Sequence, residues 1–116
     1  MSTQNYHDKL KSLIDSFVHE VYDVTKLFPK EELFGITSQY RRSALSVALN
    51  NVEGYARQRK AVYKNFLETS YGSLKEADYL TEFSYKRNYM DEKTYLRLRE
   101  LANEIGKLLW GIFSKL

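Results

Sequence analysis

The chain is 116 residues long, of which 43% are hydrophobic and 28% are charged. This length and composition suit one globular domain spanning residues 1–116 and exclude a disordered chain. Cysteine is absent, which excludes disulfides, thiolate metal ligands and cysteine nucleophiles. The first residues, MSTQNYHDKLKSL, lack an apolar secretory core, and no apolar run is long enough to cross a membrane, so we expect a cytoplasmic protein.

The positive charge is concentrated in one quarter of the chain. The net charge is +3, but residues 41–64 carry six cations against the single anion Glu53. The remainder has 12 cations and 14 anions. A basic segment of this kind suits either a solvated helix end or contact with phosphates.

Apolar residues recur at helical spacing in four segments. The first predicted helix covers residues 5–28 and stops at Pro29, because the residue before a proline is disfavoured in the helical region. The second runs to about residue 57, with Thr37 or Ser38 as its N-cap. It is apolar or small on most of its circumference, so we expect it to be the most buried helix.

The third predicted helix covers residues 61–87, after a turn near residues 58–60. The fourth opens with Asp91 as its N-cap and runs to the C-terminus. One proline and five glycines favour such long helices, and short links make sequential neighbours antiparallel. The predicted fold is therefore an all-α, up-down-up-down four-helix bundle.

Polar residues on the second helix form a stripe at steps of three and four: Gln39, Arg42, Ser46, Asn50 and Glu53. The third helix carries a matching row of Thr69, Ser73 and Glu76. Folding the two helices about residue 58 or 59 brings the two rows together. We therefore predict a structural polar seam rather than a ligand site, although contact with a ligand or partner remains the alternative.

Three contacts are expected in this seam. Arg42 and Glu76 fall at one level, which predicts an ion pair, since a buried charge without a partner costs several kcal/mol. Asn50 is expected to bond to a backbone carbonyl or to Ser70. Gly72 is expected to allow close approach of the two helices, the alternative being a tolerated, exposed glycine.

No catalytic or metal-binding constellation is recognisable. The only histidines, His7 and His19, lie on the same helix about 18 Å apart and cannot share a metal ion. No Ser/His/Asp set, phosphate loop or dinucleotide-binding glycine pattern occurs. We therefore expect a protein that is not an enzyme and that uses no metal and no cofactor.

Two features suggest a binding role. The turn after the second helix concentrates Arg57, Arg59, Lys60 and Lys64 beside tyrosines, which suits RNA phosphates and a stacked base. The alternative is a solvated helix end whose cations match the helix dipole. Ten tyrosines favour self-association through aromatic surfaces, although a thick aromatic core would also use them.

The stretch LFPKEELFGITSQYRRSALSVALNNVEGYAR resembles the hallmark of the four-helix-bundle proteins encoded in 23S ribosomal RNA intervening sequences. YGSLKEADYL resembles the later glycine-serine and glutamate motif of that family. The matches span about residues 21–80. The chain departs from the pattern at Ala48-Leu49, where the family has Pro-Ala, and at Asn51, where it has an apolar residue.

The resemblance implies a bacterial protein whose left-handed bundles assemble into a homopentameric ring, with no established activity. A related group serves as accessory proteins of diversity-generating retroelements and contacts a reverse transcriptase and nucleic acid through a basic barrel. We therefore expect RNA or other nucleic acid to bind a basic face built from several subunits. The residues assigned to that face are Arg41, Arg57, Arg59, Lys60 and Lys64. The alternative is a protein-interaction scaffold or accessory subunit that does not contact nucleic acid.

Overall fold

The computed structural model describes residues 3–116, with only the backbone described for Thr3 and Gln4. Four α-helices account for most of the chain, and a short 3₁₀ turn at Lys30–Glu32 interrupts the first connection. No strand occurs in the described range. The helices are α1 at Thr3–Thr25, α2 at Ile36–Tyr55, α3 at Lys60–Lys86 and α4 at Glu92–Phe113.

The helices run alternately up and down. Only residues 56–59 and 87–91 separate α2 from α3 and α3 from α4, and such links cannot return along a helix of about 40 Å. Arg41, early in α2, bonds to Thr25 at the end of α1, while Arg97, early in α4, bonds to Glu20 late in α1. Each helix packs on its chain neighbours, and α1 also packs on α4. The predicted four-helix bundle is therefore confirmed.

The core is built from the apolar stripes of all four helices. The stripe of α1 is buried along its length except for the half-buried Leu13, and the largest enclosed side chains are Tyr40 and Phe17. Tyr40 donates a hydrogen bond of 2.5 Å to Thr81 on α3, because the Thr81 hydroxyl already donates to the Ala77 carbonyl. Burial raises the pKa of the Tyr40 hydroxyl, which stays protonated as a donor.

As predicted, α2 has the largest proportion of buried residues among the four helices of the described range, but one of its sides is exposed. The inner side, which includes Tyr40 and Val47, is buried as predicted. The opposite side faces solvent, and Leu49 and Val52 are each about half exposed. We call this exposed set the outer stripe; it consists of Leu45, Leu49, Val52 and Ala56.

The N-termini of α2 and α4 are capped in different ways. The N-cap of α2 is Gly35, which has no side chain, so the prediction of Thr37 or Ser38 is wrong; the Ile36 nitrogen donates to the Glu32 carboxylate at 3.5 Å. The prediction for α4 is confirmed, since Asp91 accepts a 2.8 Å bond from the Thr94 nitrogen.

The chain leaves α3 through a left-handed residue, Asn88, with φ of 65°. The Tyr89 nitrogen bonds back to the Ser84 carbonyl and the Asn88 nitrogen to the Tyr85 carbonyl. This pair of bonds is the Schellman ending, which satisfies carbonyls that the helix leaves free. It turns the chain sharply enough for α4 to begin at Glu92.

Gly54, rather than Gly72, is the glycine at which α2 and α3 approach closely. A Cβ at Gly54 would lie 2.8 Å from the Phe66 Cβ and 3.2 Å from the Tyr63 ring. A Cβ at Gly72 would meet nothing within 4 Å. The sequence-based prediction for Gly72 is therefore wrong, because Gly72 is exposed on the far side of α3.

This contrast predicts opposite effects of the same substitution. Gly54→Ala should lower the free energy of unfolding by about 1–3 kcal/mol, because the added methyl must push α3 away. Gly72→Ala should raise the free energy of unfolding by up to about 1 kcal/mol through helix propensity alone. Urea unfolding followed by circular dichroism measures both, and equal effects of the two substitutions would contradict the assigned packing.

Candidate nucleic-acid interface

The centre of the predicted polar seam is present between α2 and α3. The hydroxyls of Ser46 and Ser73 lie 2.8 Å apart, and the Asn50 amide donates to the Ser46 carbonyl at 2.9 Å and to its hydroxyl at 3.0 Å. Asn50 thus bonds to a backbone carbonyl, one of its two predicted partners. Ser70 instead donates to the Val47 carbonyl at 2.8 Å.

The predicted ion pair between Arg42 and Glu76 does not form. Glu76 accepts a 2.9 Å hydrogen bond from the Gln39 amide. Arg42 is exposed and has no ion pair among residues 5–116. At 100° per residue, Arg42 points about 60° away from the direction of Gln39, which places its long side chain at the rim of the seam, in water.

Glu53 also lies at the rim rather than within the seam. Its carboxylate pairs at 2.7 Å with Arg57, four residues later and just beyond the end of α2, and both side chains are about half exposed. The Arg57 guanidinium also lies over the Phe66 ring, 5.1 Å from its centre. The seam proper therefore consists of short side chains, and the charged members of the stripe lie outside it.

Asn51 is a polar core residue that sequence periodicity assigned to the inner face. Its side chain is 1% exposed, and its carbonyl oxygen is buried with no hydrogen-bond partner among the described residues. It occupies the position at which the resembling family has an apolar residue. Nothing in the described fold satisfies that oxygen, so Asn51 costs stability.

The turn between α2 and α3 brings four of the five predicted nucleic-acid-binding residues together. Arg59 and Lys60 are exposed and Lys64 is half-buried, and these three form no ion pair within the described chain. Arg57 is the exception because Glu53 neutralises it. Three adjacent cations therefore remain available to an anionic partner.

Arg41 does not join this group. It lies fourteen residues before Tyr55, the last residue of α2, which is about 21 Å along the axis, and Arg57 lies beyond that end. The Arg41 Nε donates to the Thr25 hydroxyl at 2.7 Å, and its guanidinium also reaches the Tyr22 carbonyl and lies over the Tyr22 ring. Within one subunit these contacts tie α2 to α1.

Antiparallel packing adds two cations that the sequence did not assign to the site. Lys107 of α4 and Lys115, just beyond the end of α4, line one cavity with Tyr63 of α3, and Lys64 lines a neighbouring depression with Trp110. The sequence indicated this proximity only through the predicted topology. In an antiparallel pair of helices, the end of α4 lies beside the start of α3. We call this cluster the basic end; it consists of Arg57, Arg59, Lys60, Lys64, Lys107 and Lys115.

Aromatic rings accompany the basic end. The His7 ring stacks on Tyr55 with centres 3.3 Å apart and planes 11° apart, and Tyr63 meets Tyr55 edge-on at 6.4 Å. Burial lowers the pKa of His7, with Asp8 opposing that shift and Lys11 assisting it. His7 is therefore neutral at pH 7 and adds no charge to the basic end.

Several cations away from the basic end are paired with carboxylates. Arg97 pairs with Glu20, and Arg99 pairs with Asp78 at 2.9 Å. Lys86 pairs with Glu82 at 3.0 Å. Their charge is compensated within the fold, unlike that of Arg59 and Lys60.

No group of three or more metal-ligating side chains occurs among the described residues. No helix in the described range is long and apolar enough to cross a membrane.

The fold and the seam define a class: a four-helix bundle whose middle helices meet through small hydroxyl side chains and whose one end is basic. The family model for the 23S rRNA-intervening sequence protein matches residues 10–111. The chain belongs to the 23S rRNA-intervening sequence protein family, as the motifs around Pro29 and Gly72 predicted.

A solved structure has the same fold. It is the crystal structure of a protein of unknown function from the S23 ribosomal protein family of Bacteroides thetaiotaomicron VPI-5482. The TM-score is 0.86 at 24% identity, over 94% of this chain and 98% of that one. No curated protein matches the chain.

The unsatisfied amide of Asn51 predicts a stabilising substitution. Asn51→Val should raise the free energy of unfolding by about 1–2 kcal/mol, because a buried acceptor without a partner is replaced by apolar surface. Asn50→Val is the matched control and should lower the same quantity by about 1 kcal/mol through loss of the bonds to Ser46. Chemical denaturation measures both, and a destabilised Asn51→Val variant would show that the amide has a partner.

Proposed function

We propose that this protein is a non-enzymatic RNA-binding module, which holds single-stranded RNA through its basic end and acts as a homo-oligomer. The observation that carries the proposal is the set of unpaired cations at the α2–α3 turn. Arg59, Lys60 and Lys64 lack carboxylate partners in the described fold, whereas Arg97 and Arg99 have them.

The aromatic groups beside these cations favour RNA over a simple polyanion. Tyr55 is 38% exposed, and Tyr63 is half-buried next to it. Unpaired RNA bases stack on tyrosine rings while cations hold the phosphates, a combination typical of single-stranded RNA recognition.

Oligomerisation is the second part of the proposal. The outer stripe presents Leu45, Leu49 and Val52 at steps of four and three, the spacing by which a helix packs along a second helix. We assign a second copy of this chain as its occupant, in agreement with the pentameric ring that the family resemblance implies. A ring also needs a different apolar surface, and Tyr79 and Phe83 provide one on α3.

The alternative is a protein-interaction scaffold that does not contact nucleic acid. The exposed aromatic residues favour it, since Tyr79 is 63% and Trp110 is 56% exposed. The two functions differ in one measurable property, because RNA binding through phosphates depends steeply on salt concentration.

Neutralising the α2–α3 turn should weaken RNA binding. We expect the triple variant Arg59→Gln, Lys60→Gln, Lys64→Gln to reduce affinity for a fluorescein-labelled single-stranded RNA, measured by fluorescence anisotropy. The slope of log K against log salt should fall by about 0.7 for each lost phosphate contact, or about 2 for three.

A matched control removes the same charge from the other end: Arg87→Gln, Lys30→Gln and Lys93→Gln, all at exposed positions without an ion pair among the described residues. It should leave affinity and salt slope near the wild-type values. Equal losses in the two triple variants, or wild-type binding that does not respond to salt, would contradict an RNA interface at the basic end.

Self-association should depend on the outer stripe. Leu49→Glu should dissociate the oligomer, because a carboxylate would be buried between helices without a partner. Leu96→Glu is the control, since Leu96 on α4 is equally exposed at 55%. Light scattering coupled to size-exclusion chromatography gives the mass, and a pentamer would have five times the chain's 13.7 kDa. A wild-type monomer, or equal effects of the two variants, would contradict this assignment.

A further inference from the structure

A cavity of about 430 Å³ opens at the basic end between α1, α3 and α4. Its size is within the range of small-molecule sites. Leu108 and Ile112 give it an apolar wall, and Lys107 and Lys115 add two cations. Neither lysine forms an ion pair among the described residues.

Aromatic side chains line the same cavity, namely Tyr6, His7 and Tyr63. His7 is 9% exposed, and its Nδ1 is buried without a hydrogen-bond partner. Solvent does not reach this nitrogen, so a ligand in the cavity would contact other atoms of the His7 ring. The packing of His7 against Tyr55 fixes the ring that carries this nitrogen.

We propose that this cavity binds a phosphorylated nucleoside, with the base among the aromatic side chains and the phosphate on Lys107 and Lys115. A nucleobase is planar and has a polar edge, so it can both stack on a tyrosine ring and hydrogen-bond to a tyrosine hydroxyl. An aliphatic ligand would not stack on these rings. A phosphate without a base would leave the apolar wall of Leu108 and Ile112 uncovered.

Two kinds of ligand carry a base with a phosphate: the 5′-phosphorylated end of an RNA strand and a free nucleoside monophosphate. For RNA, the inference deepens the proposed function and rests on it. The strand would run across the exposed cations of the α2–α3 turn, while its terminal nucleotide enters the cavity. For a free nucleotide, the inference is independent of strand binding.

Calorimetric titration of the full chain with adenosine monophosphate tests the inference. We expect saturable binding, with adenosine and inorganic phosphate each about tenfold weaker or more, since a hydrogen bond to a charged group contributes roughly that factor. Lys107→Gln combined with Lys115→Gln should weaken the monophosphate by a similar factor. Absence of binding, or phosphate alone binding as tightly, would overturn the proposal.

Gly111 offers a variant that blocks the cavity and keeps the fold. It lines the cavity, and a Cβ built there meets nothing within 4 Å. Gly111→Leu should abolish monophosphate binding without lowering the melting temperature, whereas Gly72→Leu at another open helical position should not change binding. Wild-type affinity in Gly111→Leu would also overturn the proposal.

RNA oligonucleotides with and without a 5′-phosphate distinguish the two sources. A preference for the phosphorylated strand that Gly111→Leu removes identifies the RNA end, and equal affinities together with monophosphate binding identify a free nucleotide. If adenosine monophosphate does not bind, the proposal that Arg59, Lys60 and Lys64 bind RNA is unaffected. Conversely, if the affinity for RNA does not depend on salt concentration, the inference that the cavity binds a free nucleotide is unaffected.

Discussion

The close approach of α2 and α3 is the constraint on which the rest of the molecule depends. Gly54 permits it, since a Cβ there would lie 2.8 Å from the Phe66 Cβ, and the short hydroxyls of Ser46 and Ser73 maintain it further along. Because the backbones are so near, Ser70 reaches the Val47 carbonyl across the seam. Helices held in this way leave no room between them for a guanidinium or a long carboxylate. The charged members of the polar stripe accordingly lie at the rim.

The same constraint sets the direction of the outer stripe. One side of α2 faces the core through Tyr40 and Val47, and an adjacent side packs against α3. The remaining apolar side, with Leu45 and Leu49, has no helix of its own chain to cover it. An α2 that is apolar on most of its circumference is therefore not evidence of complete burial within one subunit. On the proposed assembly, α2 has two kinds of neighbour, the helices of its own chain and a second copy of the chain.

The sequence predicted those features that depend on one helix at a time. Periodicity identified the buried stripes of α1 and α4, and the capping preference of Asp91 identified the start of α4. Features that depend on how two helices are rotated against each other were less predictable. Register alone placed Arg42 level with Glu76, but a rotation of about 60° separates a seam position from a rim position. The cavity could not be predicted at all, because His7 and Lys115 meet only through the packing of α1 on α4.

The proposed surfaces are compatible with one another because they occupy different parts of the bundle. The outer stripe runs along the side of α2, whereas the unpaired cations and the cavity lie at its end. In a cyclic ring every subunit has the same orientation relative to the axis, so assembly through the sides would align all the basic ends on one rim. The three unpaired cations at the α2–α3 turn of each chain are a small footprint for RNA, and repetition around a ring would multiply the effective affinity without any new contact. On this arrangement, the exposed leucines of α2 serve RNA binding indirectly, by setting how many basic ends act together.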